Sequence, residues 1–173
     1  MAKILRRFGR EDGNATIEFV VLFPVFIAIF GSAFEAGLFS TRQALLERAT
    51  DVAVRDLRLG DPGVANFDDL KARICNVAGV IPDCMGAVHI ELAPVSTETW
   101  DMRLGATACI DRDEDITPVV SFTQGGSNEL MLVRVCAVVR PMSPFTPLGL
   151  KMPKINTSDY ALVSAAVFVN EPS

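Results

Sequence analysis

Between Phe19 and Phe39 every position is apolar or small except Glu35. A run of that length crosses a bilayer as a helix, since about 20 residues at 1.5 Å rise each span the hydrocarbon. The pattern then changes. From Ser40 to Leu59, Leu46, Ala49, Ala53 and Leu57 keep a 3–4 spacing, joined by Leu45 and Val52, while Arg42, Glu47, Arg48, Asp51, Arg55 and Arg58 take the other faces. Asp51 and Arg55 form a supportive i,i+4 pair. The two stretches predict one continuous helix from Ala15 to Leu59, closed by Gly60-Asp61-Pro62-Gly63 and on the order of 65–70 Å long. Its outer half carries one apolar stripe and should lie on the remainder of the chain.

That remainder reads as a small α+β unit. Asn66 caps a short helix whose Phe67, Leu70, Ile74 and Val77 share a face and which ends near Gly79. Four strand-like runs follow: Gly86 to Val95, Asp101 to Ile110, Leu130 to Arg140 and Tyr160 to Val169. With no helical crossovers between them they predict a roughly four-stranded antiparallel sheet, one face of which packs on the amphipathic spine. Pro141 to Pro153 reads as a long connection between the last two strands. The expected organisation is a basic leader over 1–13, a transmembrane helix over 14–40, its amphipathic extension over 41–60 and an exported α+β domain over 61–173.

Pro24 lies inside the span, where it removes a helical hydrogen bond and should bend the helix. Ala28, Ser32 and Ala36 fall on one stripe, Ala33 and Gly37 on another; they suit close helix packing and a plain lipid-facing helix equally. Glu35, near the outer end, is expected to reach periplasmic water, with an Arg of another subunit as the alternative.

Charge sets the orientation. Lys3, Arg6, Arg7 and Arg10 outweigh Glu11 and Asp12 before the span, so the leader should stay in the cytoplasm and the bulk be exported. Net charge is −5 for the whole chain and −7 without residues 1–13. An exported acidic domain is not a nucleic-acid binder.

Gly13-Asn14-Ala15-Thr16-Ile17-Glu18-Phe19, at the junction of the leader and the apolar run, reads as a cut site. An ordinary signal peptide has its apolar core before the cleavage point, whereas cutting after Gly13 leaves the span attached. Glu18 would then be the fifth residue, one helical turn from the new α-ammonium of Asn14. A carboxylate near the bilayer core costs roughly 2.5–3.5 kcal/mol and needs a partner or a proton. Within one chain that partner is the freed amine, and the positive helix end also favours the charge. In a bundle of staggered parallel helices a neighbour's amine serves instead, which would make Glu18 a register device. The other reading is that Glu18 marks the membrane edge and snorkels to the headgroups.

This junction resembles the class III signal of type IV pilins, in particular those of the Tad type, in which a Gly is followed by a Glu and an aromatic. The chain continues for well over a hundred residues beyond the span, and the resemblance is therefore to a TadE-like minor pilin, not to the single-helix major subunit. It implies processing by a prepilin peptidase at Gly13, with Asn14, Glu18 and Phe19 completing the site. It also implies residence in the bacterial inner membrane, from which the chain is either built into an extracellular pilus or used to prime one, with tight adherence and biofilm formation as the outcome. The partners implied are other Tad pilins and minor pilins, and, indirectly, an inner-membrane assembly platform and a secretion ATPase; the lipid bilayer follows from the span itself. The alternative is an uncleaved, signal-anchored periplasmic binding or adhesin domain, which would need neither Gly13 nor Glu18.

The chemistry of the domain is sparse. Cys75, Cys84, Cys109 and Cys136 are an even set in an exported setting, which favours disulfides. A local Cys75–Cys84 bridge and a second one joining the strands of Cys109 and Cys136 fit, among three connectivities. There is no Cys-x-x-Cys for zinc. His89, the lone histidine, is expected at a surface or interface, and no Gly-x-Ser-x-Gly elbow or glycine-rich phosphate loop accompanies it, so no enzyme and no cofactor are expected. Asp111-Arg112-Asp113-Glu114-Asp115 opens like a calcium loop, but Ile116 stands where its Gly belongs and Phe122 where its bidentate Glu would be; a solvated turn is the better reading. Asn156-Thr157-Ser158 matches a glycosylation sequon, a weak signal in a bacterial chain.

Overall fold

The computed structural model describes residues 14–100, 109, 122–142, 147–152, 154–156 and 158–171. Its first element is a single helix, α1 (Asn14–Arg58), which continues through Pro24. Gly60, at φ +66°, closes it. The Asp61 amide donates to the Asp56 carbonyl and the Gly60 amide to that of Leu57, the paired bonds of a Schellman ending that only a residue at ease in the left-handed region sustains. A 3-10 turn (Pro62–Val64) leads into α2 (Phe67–Ala78), where Asn66 Oδ1 accepts from the Asp69 amide at 2.9 Å. Gly79, at φ +51°, ends α2 with its amide on the Cys75 carbonyl. A short α3 (Cys84–Ala87) opens directly into the sheet.

The sheet is antiparallel in the order β1 (Val88–Pro94), β2 (Leu130–Val139), β3 (Tyr160–Val169). It has three strands among the described residues where the sequence led us to expect four; the run Asp101 to Ile110 lies outside them apart from Cys109. The β2–β3 connection contains α4 (Pro147–Lys151), which packs against α1.

Alternation decides which side faces the helices. Val88, Ile90 and Leu92 of β1, Met131, Val133, Val135, Ala137 and Val139 of β2, and Tyr160, Leu162 and Phe168 of β3 are buried against Leu46, Ala49 and Ala53 of α1 and Leu70, Ile74 and Ala78 of α2. This is a two-layer core of helices on one sheet face, and the α1 stripe inside it is the one that the 3–4 spacing marks. The spine is fixed along its length. The Phe39 ring lies 5.4 Å from that of Tyr160, Arg42 Nη1 donates to Tyr160 Oη at 3.2 Å, and Gln43 donates to the Val163 carbonyl at 2.9 Å. At the far end the Glu171 amide donates to the Arg58 carbonyl. β3 therefore runs alongside α1 in the same direction.

Candidate functional site

The sequence motifs and the exposed half of α1 together form the candidate site. Ile17 to Phe34 expose their large apolar side chains, including Phe19 at 60% and Ile29 at 67%. The most apolar window of α1 has a mean hydropathy of 2.3 and none of it is buried within the chain, so α1 is long and apolar enough to cross a membrane. A helix in that state lacks a partner that water cannot supply. Its polar groups are handled locally: Ser32 Oγ donates to the Ala28 carbonyl at 2.8 Å, one turn back. Phe19 stacks on Phe23 with centroids 4.8 Å apart, and Phe26 on Phe30 at 6.3 Å, which are i,i+4 pairs on the helix surface.

Of the residues expected at the cut site, Asn14, Glu18 and Phe19 lie on α1, the last two exposed. Gly13 lies outside the described residues. Glu18 thus lies at the end of the bare apolar stretch farthest from the domain.

The run of exposed large apolar side chains ends at Phe34, and at Glu35 the sequence expectation is corrected. Glu35 does not reach water or wait for another subunit; it is 1% exposed, and its two carboxylate oxygens accept from the Met142 amide at 3.2 and 3.1 Å. Twenty residues separate it from Ala15, about 30 Å of helix, which is the hydrocarbon thickness. The carboxylate therefore marks where the bare half of α1 stops and the domain begins, and it ties the β2–β3 connection to the spine at that level.

The four cysteines form two bridges. Cys75 at the end of α2 is bonded to Cys84 at the start of α3, with Cα atoms 5.6 Å apart, and Cys109 is bonded to Cys136 with Cα atoms 5.5 Å apart. Cys136 points away from the helices, on the side of Arg134, yet it is fully buried. His89, its register partner on β1, is likewise 4% exposed and not at the surface as expected. Burial pushes the imidazole below its usual range; Lys71 adds to that shift and Glu91 opposes it. On the same sheet face Arg134 Nε donates to Glu91 at 3.0 Å, across a register pair that the sequence alone could not reveal because strand order was open.

The remaining motifs are structural. Asn156 Oδ1 accepts from the amides of Ser158 and Asp159 at 3.0 and 2.7 Å, so the sequon side chain holds a turn. Asp159, fully buried, pairs with Arg140 at 3.3 Å. Asp111 to Asp115 lie outside the described residues.

Residues 13–55 match the family model TadE, described as TadE-like protein. The match covers about a quarter of the chain, from the Gly of the junction through most of α1. No curated protein and no solved structure matches the chain. The similarity thus falls on the junction at Gly13 and on the bare helix surface, and it associates the chain with Tad pilus systems.

Proposed function

We propose that this chain is a minor pilin of a Tad-type pilus, cut after Gly13 by a prepilin peptidase and assembled through α1. The observation that supports this most is that the TadE match, which begins at Gly13, runs along the same helix whose large apolar side chains are bare from Ile17 to Phe34. In this reading α1 acts twice. It first anchors the chain in the inner membrane, leader on the cytoplasmic side and domain in the periplasm, following the basic charge before the span. It then moves from lipid into a bundle of like helices, a transfer between two apolar surroundings that costs little hydrophobic free energy and selects on packing and polar contacts.

Glu18 provides such a contact. In a staggered bundle its carboxylate meets the α-ammonium of a neighbour's Asn14, an ion pair that only one axial offset satisfies. The domain, bonded to the outer half of α1, stays outside that bundle, and no catalytic role is assigned to it. Other Tad pilins and the membrane assembly platform are the partners this reading requires.

Replacing Gly13 by Trp tests the processing step, because it fills the position the peptidase must approach. The expected result is accumulation of the full-length form and loss of pili; normal pili would sink the proposal in favour of a signal-anchored periplasmic domain. Glu18→Ala tests register separately. Normal cutting with failed incorporation is expected, and unimpaired piliation would remove the register role.

A further inference from the structure

The β2–β3 connection hangs at the membrane end of the domain with a composition unlike the rest of it. Between β2 and β3 the chain has three cations, Arg140, Lys151 and Lys154, against one acid, Asp159, which pairs with Arg140; the two lysines are the net charge of this stretch, within a protein of net charge −5. Two of its large apolar side chains are turned outward, Met142 at 66% and Leu150 at 65% exposure, with Lys151 and Lys154 exposed beside them, while Met152 packs on the core. An exposed pair of large apolar side chains flanked by lysines is the composition of an interfacial membrane contact.

Position along α1 supplies the second argument. The Met142 amide is held by Glu35, α4 packs against α1, and Lys154 bridges to Tyr160, which contacts Phe39 and Arg42. The connection is therefore fixed beside α1 at the level where the bare, membrane-length half ends.

We infer that Met142, Leu150, Lys151 and Lys154 dock on the surface of the bilayer that α1 crosses, with Met142 and Leu150 in the interfacial layer and the two lysines against anionic lipid headgroups. The contact continues the helix–lipid surface, and attraction of basic side chains to anionic lipid acts at that distance. Glu35 holds the connection at this depth. Docking would fix the domain's height and rotation about the membrane normal before the subunit leaves the bilayer.

This inference rests on α1 crossing a bilayer, and the test separates the two claims. The full chain is reconstituted into vesicles of phosphatidylcholine and phosphatidylglycerol at three to one, with and without bromine on the acyl chains; flotation with the vesicles reports insertion of α1. Tryptophan emission reports the connection. The native Trp100 sits at the far end, beyond β1, about 35 Å farther along α1 than Glu35, and serves as the unquenched reference. In a Trp100→Phe background, Met142→Trp and Leu150→Trp are each expected to lose about half of their emission or more in brominated vesicles, since an interfacial indole lies within reach of the acyl chains. Adding Lys151→Glu and Lys154→Glu should weaken that quenching. Two results would overturn the inference in chains that float: quenching no greater than that of Trp100, or a blue-shifted emission that bromine leaves untouched, which would mean that another subunit covers this surface.

Discussion

Removing the Glu35 carboxylate should release the β2–β3 connection from the spine without unfolding the domain. The carboxylate is 1% exposed and accepts from an amide 107 residues away in sequence, whereas the core proper centres on Leu46, Leu70 and Val135, farther along α1. Hydrogen bonds to a charged acceptor contribute roughly 1.5–3 kcal/mol, which at 1.4 kcal/mol per decade is about a 10- to 150-fold change in a local opening equilibrium. Glu35→Ala is therefore expected to speed exchange of the Met142 amide by about one to two orders of magnitude, with amides of central β2 such as Val133 unchanged. Glu35→Gln keeps one carbonyl oxygen as acceptor and should fall between. Hydrogen exchange on the full chain in vesicles reads all three. If Met142 exchanges within about twofold of the native rate in the Ala variant, the contact does not hold the connection and the proposed anchoring is wrong.

Two further outcomes follow from the domain's covalent and titrating groups. The Cys109–Cys136 bridge closes a separation of 27 residues and Cys75–Cys84 one of 9, so in the chain-entropy account their loss costs about 3.5 and about 2.5 kcal/mol; urea unfolding of the two paired Cys→Ala variants should rank them in that order, and the reverse order would refute it. His89 is kept neutral in the folded chain, so below its ordinary value near 6.5 the unfolded chain takes up a proton that the folded one resists; stability should fall as pH drops from about 6.5 and His89→Gln should flatten that slope, a result that unfolding midpoints between pH 7.5 and 5 will show or deny.

Much of this architecture was readable from local signals. The spine's end was written in Gly60, the start of α2 in Asn66 and its stop in Gly79, because a cap or a left-handed residue acts within a few positions of itself. Three strands and the core stripe of α1 came from periodicity, which burial enforces face by face. What escaped was long-range. Glu35 read as a residue seeking water because nothing near it in sequence announces Met142. His89 alternates with core residues, which places it on the sheet face away from the helices; opposite it in register stands Cys136, bonded to Cys109, and burial on that face is a closure that alternation cannot foresee. Glu91 and Arg134 needed the strand order before they could be paired. The TadE-like start of the chain was legible because its signal is compact, with Gly13, Asn14, Glu18 and Phe19 inside seven residues.

The central claim is that α1 begins life as an internal helix and ends as a free N-terminus, with Asn14 exposed by cutting. N-terminal sequencing and intact mass of the protein from the membrane fraction of its native host test it most directly. A mature chain that starts at Asn14 and carries −7 in place of −5 is the predicted result. A chain that still starts at the leader, in cells that process their other pilins, would contradict it.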